Sequence, residues 1–471
     1  MFARSTWLLL AMVLLLAASP LSAAASMVPG GELAVSQFNA AEAVSEQLTR
    51  EDGSTEPPSR INWTDTGFML VASALVLFMT PGLAFFYGGL VRRKNVLSVL
   101  MQCFACMCLM TVLWVVVGYS LCFGDSIFGG FIGDPMQYLM FDGVAADAPK
   151  AGSGHSIPHM LFAMFQGMFA IITPALILGA YAERLKFGSF CLFSSLWLLL
   201  CYAPLCHWAW GGGYFDGGEG ATLLMAEGQG AIDFAGGTVV HINAGIAALV
   251  AALLLGKRQG YPERISPPHS LPFAVLGAGM LWFGWFGFNA GSELAVDETA
   301  VSAFVVTHIA AAVAGVVWAA IEWIRDGKPT VLGIISGLVA GLVAITPACG
   351  NVDVGGAMIL GAGAAVIAWF MVAIAKEKLG YDDSLDVWGI HGMAGIWGAV
   401  AVGFLTVEGA GGEQVWVQVK SVLATLVYTG VVSFVLLKVI DVALGLRAGP
   451  QAERVGLDLT EHAEAAYTVI D

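Results

Sequence analysis

The chain has 471 residues, 58% of them hydrophobic and 12% charged, with a formal net charge of −15 and a mean hydropathy of +0.79. Water-soluble domains carry roughly 25% charged residues, so half that density excludes a surface wetted all round. The acidic balance excludes a nucleic-acid partner, and the charges themselves fall in loops and tails.

Arg4 precedes an apolar run from Trp7 to Ala18, followed by Pro20 and the small residues Ser22-Ala23-Ala24-Ala25. A basic start, a short apolar core and an Ala-x-Ala-like site predict a cleavable signal peptide over 1–25, with an uncleaved anchor as the alternative. Residues 26–60 are polar, contain Pro57-Pro58, and read as a flexible exported arm. Eleven apolar runs follow near 65–90, 96–121, 158–182, 188–206, 236–255, 271–290, 299–324, 330–347, 355–375, 387–406 and 415–440. A membrane-crossing helix takes about 20 such residues, so the sequence predicts an all-α membrane domain over 61–445 and a tail over 446–471.

The loops alternate in charge. Arg92-Arg93-Lys94, Glu183-Arg184-Lys186, Lys257-Arg258-Arg264, Arg325-Lys328 and Lys376-Lys378 mark every second one. The others carry acids: Asp125, Asp134, Asp142 and Asp147; Asp216, Glu219 and Glu227; Glu293, Asp297 and Glu298; Asp353; Glu408 and Glu413; Lys150 is the one basic residue among them. Basic loops stay cytoplasmic, which puts the mature N-terminus outside and the tail inside an inner or plasma membrane crossed many times. An exported N-terminus needs a signal peptide, and the first 25 residues read as one.

The fifth run holds His241-Ile242-Asn243-Ala244-Gly245 and the tenth His391-Gly392-Met393-Ala394-Gly395. Copies five spans apart lie in opposite orientations, so the two His-x-x-Ala-Gly segments predict two five-helix inverted repeats (about 61–256 and 270–406) plus a final span at 415–440. Ionisable residues inside a membrane usually face a cavity or pathway, although a neutral histidine satisfied by a carbonyl is the plain alternative. His308 in the seventh run is read in that plain way. If His241 and His391 meet on the repeat axis, their rings share an N–H···N bond and keep one donor and one acceptor for a passing solute. A metal centre is the rival, but two histidines fall short of the three protein ligands of a catalytic zinc.

Aromatic residues gather where these helices open to the outside. They include Gln166-Gly167-Met168-Phe169, His207-Trp208-Ala209-Trp210 and Gly284-Trp285-Phe286-Gly287-Phe288 through Ser292. Tryptophans at span ends often form an interfacial belt. Their faces also hold a cation, with Ser292 as a hydrogen-bond acceptor beside them. Asp233 lies eight residues before His241 and reads as a helix cap with an electrostatic contribution; Asp386 before His391 reads as its cytoplasmic counterpart. Met101, Cys103, Cys106, Met107, Cys108 and Met110 read as packing residues, with a soft-metal or redox cluster as the minor alternative. All eight cysteines lie in or beside apolar runs, as buried thiols rather than a disulfide framework.

Several of these segments resemble the ammonium transporter family, the Amt branch of the Amt/Mep/Rh superfamily. They are Phe85 to Leu90, Gly230 to Ala244, Gly284 to Ser292, Thr346 to Gly350, Asp386 to Gly392 and the tail from Gly456 to Tyr467, within roughly 61–467. The resemblance implies a trimer of eleven-span protomers, each with its own pore. It implies ammonium recruitment at Trp210, Ser292 and Phe169, a gate of Phe169 and Phe288, and pore histidines at His241 and His391. Phe86, Gln166 and Trp285 match lining or supporting positions, and a PII-type protein is the implied cytoplasmic regulator. The segment before Phe165-Gln166 and the loop from Gly213 to Glu227 depart from the family pattern.

Ammonium and potassium are close in size, but only ammonium donates hydrogen bonds and loses a proton. A narrow apolar lumen makes a bare cation costly and lets ammonia pass. The expectation is a transporter, not an enzyme and without cofactor, for ammonium with methylammonium as an analogue. An ammonium receptor on the same fold is the alternative, disfavoured by the short tail after the last span. An intramembrane histidine metalloenzyme is the more distant one.

Overall fold

The structure is a computed structural model and describes residues 61–217, 224–225, 228–263 and 267–467. The predicted signal peptide and exported arm, Glu219, Glu227, Arg264 and the last four residues lie outside the described residues. Each of the eleven apolar runs forms a helical rod. These are α1 (Trp63–Leu90), α2 (Arg93–Phe123), α3 (His159–Tyr181), α4 (Phe187–Trp210), α5 (Gly237–Leu255), α6 (Leu271–Glu293) and α7 (Glu298–Asp326), then α8 (Val331–Ile345), α9 (Val354–Leu379), α10 (Trp388–Leu405) and α11 (Gly412–Leu444). Ten are long and apolar enough to cross a membrane; α8, at 15 residues, falls short of that length. Its helix runs out at Thr346-Pro347, where proline cannot continue the hydrogen-bond ladder. A two-stranded hairpin, β1 (Ser126–Ile127) with β2 (Ile132–Gly133), follows α2. Two short helices, α12 (Pro450–Val455) and α13 (Leu457–His462), end the described chain.

Small residues set the packing. In lipid no hydrophobic drive pulls helices together, so glycine lets backbones touch and dispersion does the rest. A Cβ on Gly277 of α6 would stand 2.2 Å from the Phe86 nitrogen of α1, and one on Gly89 would stand 2.5 Å from the Ala274 nitrogen. Along α7, Ala310 plays host to Gly341 of α8 and Gly361 of α9, whose added Cβ atoms would lie 2.5 and 2.4 Å from its carbonyl oxygen.

The alternating loops separate to the two ends of the bundle. At one end Arg92 lies 2.9 Å from Glu183, Arg258 reaches both Glu183 (3.6 Å) and Asp382 (2.8 Å), and buried Arg184 stands 4.0 Å from Asp382. Burial alone would raise the Glu183 carboxyl, but Arg92 and Arg258 hold it below its usual value. At the other end Asp65 accepts from Ser156 and from the Val296 nitrogen, tying the start of α1 to the α2–α3 and α6–α7 connections.

The tail closes the charged end. Neither Asn95 before the α-helical part of α2 nor Lys186 before α4 caps its own helix. Instead Asp458 accepts from the Ser98 nitrogen (2.8 Å) and Glu461 from the Phe187 nitrogen (3.1 Å), while Asn95 accepts from Leu457. Two tail carboxylates therefore satisfy the exposed N–H groups and positive ends of two long helices.

Candidate functional site

Both His-x-x-Ala-Gly segments sit in the same local structure. α5 opens with a π-helical turn over Gly237–Ile242 and α10 with one over Trp388–Met393, each continuing as ordinary helix from residue 243 or 394. Widened turns of this kind break the usual side-chain register and collect at functional sites. The motif glycines then interlock: a Cβ on Gly245 would meet Gly392 at 2.4 Å, and one on Gly395 would meet Ile242 at 3.1 Å and the His241 Cβ at 3.3 Å. Each glycine thus lies against the histidine segment of the other copy.

That contact brings the imidazoles together. His241 Nδ1 and His391 Nδ1 are 3.2 Å apart, with ring centroids 5.3 Å apart and planes 22° from parallel. A contact between two ring nitrogens requires one to carry the proton and the other a lone pair. The two Nε2 atoms are then left unlike, one an acceptor and one a donor. His241 Nε2 is buried without a hydrogen-bond partner. A cavity of about 10 Å³ lies beside the pair, lined by Leu83, Phe86, Leu281, Trp285 and Phe288 among others. That is room for the centre of one water-sized molecule.

A column of aromatic rings leads from His241 to the end of the bundle where α4 and α6 finish. Trp285 stacks on His241 at 5.3 Å and is anchored by its N–H to the Thr346 hydroxyl, 2.9 Å away. Phe288 follows at 5.8 Å from His241, and Phe169 stands 4.4 Å from Phe288. Both phenylalanines are buried, and together they close the column. Trp210 is edge-on to Phe169 at 6.0 Å. Ser292 donates its hydroxyl to the Phe288 carbonyl (2.8 Å), which leaves its oxygen lone pairs free to accept. Gln166, half-buried, lies three residues before Phe169 on α3. His308 is exposed on α7 and stacks on Trp282 at 5.1 Å, away from the column.

Asp233 caps the first π turn. Its Oδ2 accepts from the Thr238 and Val239 nitrogens, both at 3.0 Å, its carbonyl accepts from Trp210 Nε1 (2.8 Å), and its Oδ1 has no partner. Burial raises its carboxyl to about 6 despite those backbone donors.

The counterpart in the second copy is not Asp386, as the sequence suggested, but Asp383. Asp383 lies eight residues before His391, as Asp233 lies eight before His241. It is fully buried, accepts from the Trp388 nitrogen at 2.7 Å, and likewise leaves its Oδ1 unpartnered. Burial raises its carboxyl also to about 6. Asp386, whose backbone is left-handed (φ 63°), instead meets Lys376 of α9 at 2.5 Å. The spacing of eight was the signal that could have found Asp383.

On the far side of the pair, a cavity of about 270 Å³ opens toward the charged end, lined by Trp318, Trp369, Ser336, Glu322 and Asp386. Phe86 borders both cavities and separates them. Among the described residues no three or more His, Cys, Asp or Glu side chains converge as a metal site would need.

The sequence matches the profile of the Ammonium Transporter Family over residues 67–467. It is 46% identical to an ammonium transporter of Aquifex aeolicus, covering 87% of this chain and 95% of that protein. It is also 46% identical to an ammonium transporter of Bacillus subtilis, over 86% of this chain and 98% of the relative. Among solved structures, Saccharomyces cerevisiae Mep2 superposes with a TM-score of 0.74 at 34% identity, over 83% of this chain and 89% of that one. The chain belongs to the ammonium transporter family, whose members are multi-pass membrane transporters rather than enzymes.

Proposed function

We propose that this transporter takes up NH4+ at Trp210, Ser292 and Phe169, strips one proton from it, and conducts NH3 through the Phe169–Phe288 gate and past His241 and His391. The observation that carries the reading is the histidine pair itself, 3.2 Å apart beside a cavity of about 10 Å³. A hydrated cation does not fit such a space, and a bare one loses its solvation without a countercharge in reach. Ammonium escapes that penalty by breaking one N–H bond: the proton passes to water at the outer face and crosses separately from the ammonia, so that one positive charge moves with each NH3. Ammonia then carries its lone pair and N–H groups past one imidazole donor and one acceptor. At the inner vestibule it regains a proton and leaves as NH4+. Trp285, Phe86 and Gln166 support the lining, and Asp233 and Asp383 hold the two histidine turns.

The same reading has the chain cross the membrane eleven times, with α8 as the short eighth span, in two inverted five-helix repeats and with α11 completing the bundle. The reciprocal glycine contacts and the matched capping aspartates support the repeats. The clustering of basic loops at the end that holds α12 and α13 supports an N-terminus outside and a tail inside. The protein assembles as a homotrimer and docks a PII-type regulator on its cytoplasmic face; both rest on family resemblance. The test is current recording in proteoliposomes with ammonium and potassium in turn. His241→Asp is expected to admit a potassium current that the parent excludes. Unchanged potassium exclusion would remove the histidines as the filter.

A further inference from the structure

Gln418 is a lone amide in the apolar run of α11, and it is completely buried. A carboxamide in hydrocarbon is costly unless every polar atom is paired. Here all are used. The side-chain oxygen accepts from the Ile232 nitrogen at 2.7 Å, and the amide nitrogen donates to the Ile232 carbonyl at 2.8 Å. The second amide hydrogen goes to the Ala399 carbonyl of α10, 2.7 Å away. One side chain thus pairs with both polar groups of residue 232, as a neighbouring strand would, and ties that residue to two helices.

The neighbours along the outer end of α11 extend the seam. Gln414 donates to the Gly230 carbonyl at 3.1 Å and to Gln418 at 3.3 Å, and Glu413 accepts from Gln229. The pinned residue is the one before Asp233, whose carbonyl takes the Trp210 N–H and whose carboxylate caps the His241 turn. The indole has a single N–H donor, and the Asp233 carbonyl takes it, so the orientation of Trp210 follows the position of that carbonyl. A shift of the 229–233 segment would move the outer aromatic ring and leave Phe169 and Phe288, held on α3 and α6, in place.

From this chain of contacts we infer that Gln418 is a positioning residue for the outer ammonium site: by pairing with the Ile232 backbone it fixes the Asp233 carbonyl that orients Trp210. The inference gives α11, which lies outside both repeats, a part in substrate capture. It rests on the reading of Trp210 as a recruitment residue.

The test is methylammonium uptake by Gln418→Met, Trp210→Leu and the double variant, with KM and Vmax measured at matched amounts of membrane protein. Gln418→Met keeps the side-chain volume and removes its four hydrogen bonds, those with Ile232, Ala399 and Gln414. Its KM is expected to rise about fivefold, the change that the loss of ~1 kcal/mol carries, with Vmax largely kept. The double variant is expected to be no worse than Trp210→Leu alone, because both act through one indole. If Trp210→Leu itself leaves KM unchanged, the recruitment reading fails. If Trp210→Leu raises KM and Gln418→Met does not, or if the two effects multiply in full, the inference fails. Gln414→Ala, which leaves the Ile232 pairing intact, provides a milder second variant: it is expected to raise KM in the same sense by less. No rise in Gln414→Ala, where Gln418→Met fails to reach the membrane, overturns the inference as well.

Discussion

Adding one methyl group at Gly245 should separate the two histidines. A Cβ there would lie 2.4 Å from the Gly392 Cα and 2.5 Å from its nitrogen. Carbon atoms in contact prefer about 3.5–4.0 Å, and both obstructing atoms are backbone, with no rotamer to turn aside. α5 and α10 must therefore part by roughly 1 Å, at a cost of about 1–3 kcal/mol for overpacking. The Nδ1–Nδ1 contact is 3.2 Å in the parent. An added gap of that size takes it beyond hydrogen-bond range and widens the small cavity beside the pair. Gly430→Ala is the matched control, since the nearest atom to its Cβ is the Ile246 Cγ1 at 3.8 Å, an ordinary contact. Within a helix it also gains up to ~1 kcal/mol of propensity. In proteoliposomes Gly245→Ala is expected to lower the ratio of ammonium to potassium current and to melt earlier than the parent. Gly430→Ala should match the parent's ratio and melt no earlier. A Gly245→Ala protein with the parent's melting temperature and the parent's current ratio would refute the reasoning.

Two further outcomes follow from the caps. The Asp233 carboxyl sits at about 6 in the fold against a model-compound value of 3.8. A raised value means that its contribution to stability is fully present below about pH 4 and is lost as pH rises through about 6. Asp233→Asn keeps the acceptor for Thr238 and Val239 but cannot ionise, so its melting temperature should fall less than the parent's between those two pH values; parallel melting profiles would contradict this. Asp458→Ala removes the tail's cap on α2, worth ~1 kcal/mol, and trypsin should then cut after exposed Arg454 faster than in the parent. Equal cleavage rates would show that the tail is held by its other contacts.

The elements were legible because lipid imposes one rule on every span. Each of the eleven apolar runs became a helix, with ends shifted by a few residues at most, and α8 alone came out shorter than a crossing requires. The histidines were legible because charge is rare in such runs and because His-x-x-Ala-Gly occurs twice. What stayed hidden was geometry without a composition signal. The π turns under both motifs are made of the same apolar residues as the helices that follow. Asp383 was hidden because a carboxylate's capping role depends on backbone angles, and the left-handed turn at Asp386 is not written in residue type. Gln418 gave no signal beyond a single amide, since its partners lie 186 and 19 residues away. The tail caps were hidden for the same reason, with Asp458 meeting Ser98 across 360 residues.

These hidden contacts share one physical logic. The first backbone N–H groups of α5 and α10, like those at any helix start, have no partner within their own helix. Inside a membrane such groups cannot fall back on water, so each copy supplies a buried aspartate whose Oδ2 takes them up. Burial raises both carboxyls to about 6, so they ionise at neutral pH but less readily than an exposed aspartate. The charge then sits on carboxylates whose Oδ2 accepts from backbone N–H groups, where the positive start of each helix meets it. The twin caps therefore hold the two distorted turns that bring the imidazoles together.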